Sequence, residues 1–214
     1  MTELNIADLR KKYTKGGLSE EYLPDEPVSL FKQWFEEALR SEVMEPNAMS
    51  LATVNENNEP NVRVVLLKGM KENKIWFFTN YESRKGKELK VHPVASCALW
   101  WPELERQVRL TGSVEKIPEK DCEEYFRSRP RESKIGAWAS DQSHIVKNRS
   151  ALEKRFSELE QEFEGKEIPK PEYWGGYYLN YMEIEFWQGR PGRMHDRIVY
   201  QLLKGAWTRK RLAP

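Results

Sequence analysis

Apolar and polar positions change period several times along this chain, and each change marks an element. Phe31, Trp34, Phe35, Ala38 and Leu39 recur at i, i+3, i+4, i+7 and i+8, which is one apolar face of a helix. Ser29 stands where an N-cap belongs. The period then shortens. Residues 48–54 and 62–68 read as strands joined by the turn-rich run Asn55 to Pro60. Further strands are predicted over 74–79, 94–101, 107–116, 174–181, 182–188 and 193–203. Helical patterns interrupt them at 83–91, ending before His92-Pro93, at 118–128, opening on a proline, and at 150–164. The last of these places Leu152, Phe156, Leu159 and Phe163 on one face. Short strands at hairpin spacing predict an antiparallel barrel flanked by helices rather than a parallel sheet. Residues 1–25 are polar, broken by Gly16-Gly17 and Pro24, and read as a mobile arm. Residues 26–214 read as a single domain.

Alternation also bears on chemistry. Read as a strand, residues 193–197 put Arg193, His195 and Arg197 on one face. Two guanidinium groups flanking an imidazole call for something anionic against them, and they favour the neutral imidazole. Trp187 lies just before, across Gly189-Arg190-Pro191-Gly192. The combination points to a planar, phosphorylated small molecule.

The run Arg63-Val64-Val65-Leu66-Leu67-Lys68 brackets four aliphatic residues with two cations. It predicts a strand buried on both faces, although the opposite parity of 63 and 68 sends the charges apart unless the strand ends or bulges between them. Rim cations reaching solvent are the plainer alternative. At Thr79 to Lys87, Ser83, Arg84 and Lys85 open a helix, and free amides there, a hydroxyl and two cations make a phosphate cradle. A simple serine cap with solvated cations is the alternative. Gln107, in a strand, suits the edge of a heterocycle, or is an exposed strand glutamine. Tyr125 and Arg129 share a helix face at i, i+4, with Ser133 beyond the helix exit, unless this is a basic C-terminus answering its own dipole. Gln142-Ser143 follows in a loop.

Composition narrows the class. Lysine plus arginine number 35 and aspartate plus glutamate 34, so a general nucleic-acid or membrane-surface binder is disfavoured. Cys97 and Cys122 form no metal-ligand spacing and read as reduced thiols. No leader-like start and no apolar run of about 18 residues is visible, which predicts a cytoplasmic protein with no membrane partner. No nucleophile elbow and no metal set appear. Anion binding and heterocycle contacts with little acid–base machinery suit a protein whose cofactor carries the chemistry.

In order along the chain, Arg63 to Lys68, Phe77-Phe78-Thr79-Asn80, Glu82 to Gly86, Glu105-Arg106-Gln107-Val108, Tyr125-Phe126 with Ser128-Arg129-Pro130, Ser133, Gln142-Ser143, Trp174-Gly175-Gly176, Glu185 to Gly189 and His195-Asp196-Arg197 resemble the pyridoxine (pyridoxamine) 5′-phosphate oxidase family over nearly the whole length. The resemblance implies an FMN-binding split β-barrel, working as a homodimer with flavin in the subunit interface. It implies oxidation of pyridoxine or pyridoxamine 5′-phosphate to pyridoxal 5′-phosphate, with O2 as acceptor and H2O2 as product. Arg63, Val64, Lys68, Phe78, Thr79, Ser83, Arg84, Lys85, Gln107, Gln142, Ser143, Trp187 and Arg197 are the implied FMN contacts. Lys68, Tyr125, Arg129, Ser133, Arg193 and His195 are the implied substrate contacts, with Arg193 and His195 orienting the reacting group. The resemblance also implies that Arg10 and Tyr13 belong to an N-terminal segment that closes over the substrate. Another split-barrel flavoprotein, or a flavin or pyridoxal-phosphate carrier, is the rival.

Overall fold

The computed structural model describes residues 12–214. The chain divides into two compact units, and four strands have residues in both.

The unit formed by Met49–Cys97 and Thr111–Tyr181 is built on strands β1 (Ala48–Val54), β2 (Pro60–Leu66), β3 (Gly69–Lys71), β4 (Lys74–Asn80), β5 (Val94–Trp101), β6 (Arg106–Lys116) and the first half of β7 (Trp174–Gln188). Their order is β2-β1-β5-β6-β7-β4-β3. Strand β4 runs antiparallel to β7, from Lys74 opposite Asn180 to Asn80 opposite Trp174. Helices α2 (Arg84–Val91), α3 (Glu119–Ser128), α4 (Arg131–Ala139) and α5 (Arg149–Glu162) complete it. Phe126, Ile135, Leu159, Ile168 and Trp174 form a buried cluster with Phe156 and Phe163 packed against it, so Phe156, Leu159 and Phe163 of the face read for 150–164 pack as expected, and Leu152 stands outside that cluster.

The other unit takes the described residues up to Ala48, Ala98–Leu110 and Met182–Pro214. Its helix α1 (Pro27–Arg40) buries Leu30, Phe31, Trp34 and Ala38, and Trp34 meets Phe186 edge-on at 5.2 Å. The second half of β7 pairs with β8 (Asp196–Leu203), which pairs with β9 (Ala206–Arg211) across a Lys204-Gly205 turn.

Five expectations need correction. Ser29 is not the N-cap of α1; Glu26 occupies that position and Pro27 opens the helix, because a fixed φ and a missing N–H suit the first turn. Leu39 is 56% exposed, one residue off the buried stripe. Residues 174–188 are one strand, not two. Strand β2 is not buried on both faces: Val62 and Val64 are exposed, since β2 is the sheet's edge. Finally, the strand expected over 193–203 begins at Asp196. Residues 191–193 are a single 3-10 turn with Gly192 and Arg193 left-handed at φ 65° and 62°. The period-two argument for Arg193, His195 and Arg197 on one strand face therefore fails at Arg193 and His195. Helix α4 and strands β3 and β9 were not anticipated. Cys97 and Cys122 are both buried. Among the described residues no helix is long and apolar enough to cross a membrane.

Candidate active site

A cavity of about 920 Å³ opens in the first unit. Arg63, Lys68, Lys85 and Arg129 line it, and no carboxylate does. Four cations without an acid among the lining residues select an anionic ligand.

Each cation is delivered by local structure. Arg63 projects from β2, and Lys68 follows the strand's end at Leu66 with its amide bonded to Trp76 O at 2.8 Å. The strand end removes the parity conflict. Arg63 is tethered: Nη1 donates to Leu51 O at 3.2 Å and to Thr53 Oγ1, and Nη2 pairs with Glu88 Oε2 at 3.1 Å. Glu88 also receives Arg84 Nε at 3.1 Å, Asn61 Nδ2 at 2.8 Å and the Thr53 hydroxyl. Burial by itself would raise the Glu88 carboxyl, but the Thr53 hydrogen bond and the arginines outweigh it and hold it below the usual range.

Ser83 caps α2, its Oγ accepting from Gly86 N at 3.3 Å. Lys85 Nζ donates to that Oγ at 3.3 Å and to Gln142 Oε1 at 2.8 Å, while Thr79 Oγ1 reaches the same Gln142 oxygen at 3.4 Å. Burial and then the Arg63 charge push Lys85 down to about 8. Tyr81 wedges beneath this helix start. A Cβ on Gly86 would fall 2.1 Å from Tyr81 O, and one on Gly175 2.1 Å from Tyr81 Oη. Both glycines are close-approach positions.

Arg129 leaves the C-terminus of α3 and lies against aromatic faces, 4.8 Å from the Trp174 ring and 5.4 Å from Phe126. Its Nη1 is buried without a hydrogen-bond partner, and burial lowers its pKa. Phe78 stacks between this wall and Tyr125, at 5.2 Å from Trp174 and 3.9 Å from Tyr125, nearly parallel to both. Ser133, on α4, completes this side of the cavity.

In the other unit, His195 packs against Trp187 at 4.7 Å and meets Tyr13 edge-on at 5.4 Å. The Arg190 amide donates to His195 Nδ1 at 3.1 Å, so Nε2 is the ring's proton-bearing nitrogen. Arg197 is engaged bidentately by Glu185, at 2.8 and 3.2 Å, and by Ala213 O at 2.9 Å. Gln107 is half-buried in β6.

Residues 35–163 match the profile described as pyridoxamine 5′-phosphate oxidase, and residues 174–214 match that of the pyridoxine 5′-phosphate oxidase C-terminal dimerisation region. Proteins called pyridoxine/pyridoxamine 5′-phosphate oxidase from Leptospira biflexa serovar Patoc and Synechocystis sp. are 50% and 49% identical to it, over 98% and 100% of this chain and 99% and 100% of theirs. The chain belongs to the pyridoxine/pyridoxamine 5′-phosphate oxidase family. Its fold is the FMN-binding split barrel. PhzG from Burkholderia lata 383, solved with tetrahydrophenazine-1-carboxylic acid, shares it at a TM-score of 0.88 and 31% identity, over 94% of this chain and 99% of that one. A pyridoxamine 5′-phosphate oxidase-related, FMN-binding protein from Nostoc punctiforme shares the fold at a TM-score of 0.70 and 17% identity, over 90% of this chain and all of that one.

Of the residues that the family resemblance singles out, Arg63, Val64, Lys68, Phe78, Thr79, Lys85, Tyr125, Arg129, Ser133 and Gln142 line the one cavity. Ser83 is buried behind it as the helix cap. Arg84 turns to Glu88, and Ser143 is exposed with φ 74°; neither lines it. Gln107, Trp187, Arg193, His195, Arg197 and Tyr13 belong to the other unit. Arg10 lies outside the described residues. Sequence reasoning missed Trp174 as the seat of Arg129, and it missed Glu88 and Glu185 as the acids that hold Arg63 and Arg197. The i, i+4 pair Arg84 and Glu88 was the available signal.

Proposed function

We propose that this chain is a pyridoxal 5′-phosphate synthase. It oxidises pyridoxine 5′-phosphate and pyridoxamine 5′-phosphate to pyridoxal 5′-phosphate, with FMN as cofactor, as a cytoplasmic homodimer. The observation that carries it is the buried, partnerless Nη1 of Arg129 in a cavity lined by cations and no acid. A buried guanidinium without a carboxylate is costly unless a ligand anion meets it.

The donor set fits an FMN phosphate and a substrate phosphate together. Arg63, Lys85 and the Ser83 helix start would hold the first, with Val64, Lys68, Phe78, Thr79, Arg84, Gln142 and Ser143 around it. Gln107, Trp187 and Arg197 would complete the flavin site in the subunit interface; the match to a dimerisation region supports this. Bound FMN supplies a two-electron acceptor. Lys68, Tyr125, Arg129 and Ser133 would clamp the substrate phosphate. Arg193 and His195 would orient the C4′ substituent, His195 donating from Nε2. The protein's contribution is positioning. Overall the alcohol and O2 give aldehyde and H2O2; the amine consumes water as well and releases ammonia.

The test is an anaerobic mixing experiment on FMN-loaded, gel-filtered protein. The flavin band should bleach with pyridoxine 5′-phosphate and return in air. Retained flavin that neither substrate bleaches would make this a carrier or another flavoprotein.

A further inference from the structure

The segment 13–18 runs as a strap over its own unit, and its anchors have no part in the reaction as proposed. Glu105 is 2% exposed. Its Oε2 accepts the amides of Thr14 at 2.8 Å and Lys15 at 3.0 Å, residues 91 and 90 positions away. Gln188 Nε2 donates to Lys15 O at 3.3 Å. Further on, Leu18 N donates to Asp196 Oδ2 at 3.0 Å. Tyr13 is the residue immediately before the anchored amides, and its ring meets both Trp187 and His195 edge-on, at 5.6 and 5.4 Å. A Cβ at position 189 would lie 2.7 Å from Tyr13 Cγ, so Gly189 leaves the ring its seat.

Glu105 holds φ 56° in the turn between β5 and β6. Glycine or asparagine would adopt that conformation more readily. A glutamate there is explained by what its carboxylate does, since charge-assisted hydrogen bonds to backbone amides are among the stronger ones. We propose that Glu105 is a positioning residue: it docks the strap at Thr14 and Lys15, and thereby fixes Tyr13 against His195. This rests on the assignment of Tyr13 and His195 to the substrate. It adds the residue that holds them in register.

The test compares wild type, Glu105→Gly and Glu105→Gln as FMN-loaded dimers. Glycine suits the turn and removes the carboxylate; glutamine keeps an acceptor. Tryptic cleavage after Lys15 should quicken about tenfold in Glu105→Gly, the loss expected for one good anchor. KM for pyridoxine 5′-phosphate should rise about five- to tenfold, with kcat and flavin affinity within about twofold, and Glu105→Gln should restore most of it. In a Tyr13→Ala background Glu105→Gly should add nothing further to KM. Unchanged cleavage, or an undiminished KM effect without Tyr13, would overturn the proposal. A merely structural role would instead lower flavin affinity, kcat and thermal stability together. If wild-type protein oxidises neither substrate, the oxidase reading falls, and the cleavage rates alone decide whether Glu105 docks the strap.

Discussion

Arg129 and Lys85 hold charges that the protein alone does not fully answer. The Arg129 guanidinium rests on Trp174 with Nη1 unpaired, so removing it relieves a desolvation cost. Arg129→Met should leave the melting temperature of ligand-free protein unchanged or higher, while KM for either phosphorylated substrate rises by about one to two orders of magnitude. Calorimetry and steady-state kinetics on the same preparation check both. Lys85, held at about 8, loses its charge in an accessible range. An ammonium attracts a phosphate dianion and a neutral amine does not, so FMN affinity should weaken several-fold as pH rises from 7 to 9. Flavin fluorescence titration should show that slope in wild type and a flat profile in Lys85→Gln. Stability runs the other way. Between about 8 and the ordinary value of 10.5 the unfolded chain keeps a proton that the folded one has shed. This group's contribution to stability therefore grows with pH across that window.

At the level of elements, the Tyr81 wedge ties the start of α2 to the edge of β7. Gly86→Ala drives a Cβ into Tyr81 O, which is backbone and cannot swing away. A cost of about 1–3 kcal/mol is expected, read by urea unfolding, together with at least a tenfold loss of FMN affinity as the cradle shifts. The same scale shows what sequence can reveal. The stripe Phe31, Trp34, Ala38 was legible because burial of a helix face is periodic. Helix α4 was not, because Ile135 is its one buried residue and no stripe exists to read. The start of β8 was misread because alternation continues formally through Arg193, whereas the left-handed pair Gly192 and Arg193 turns the chain. The cations of the cavity were legible as types at spacings. Their partners Glu88 and Glu185 were not, because those pairings depend on how β2 meets α2 and β7 meets β8.

At the scale of the whole molecule, β2 leaves Val62 at 68% and Val64 at 65% exposed on one side of an edge strand. An apolar row of this kind suits an association surface. Val62→Asp should convert the dimer to monomer in sedimentation velocity and cost it flavin. A Val62→Asp dimer of wild-type stability would place the subunit contact elsewhere.

The two buried thiols acquire a meaning from the chemistry around them. The proposed oxidase chemistry releases peroxide at every turnover and would expose the enzyme to its own product. Cys97 and Cys122 are 3% and 0% exposed, out of easy reach of peroxide, and burial pushes the Cys122 thiol up, so that side chain offers no ready thiolate to become a sulfenic acid. Met194, 69% exposed and next to His195, has no such shelter. Oxidative ageing of this protein would then be written in its exposed thioethers, Met44, Met182 and Met194, and not in its cysteines.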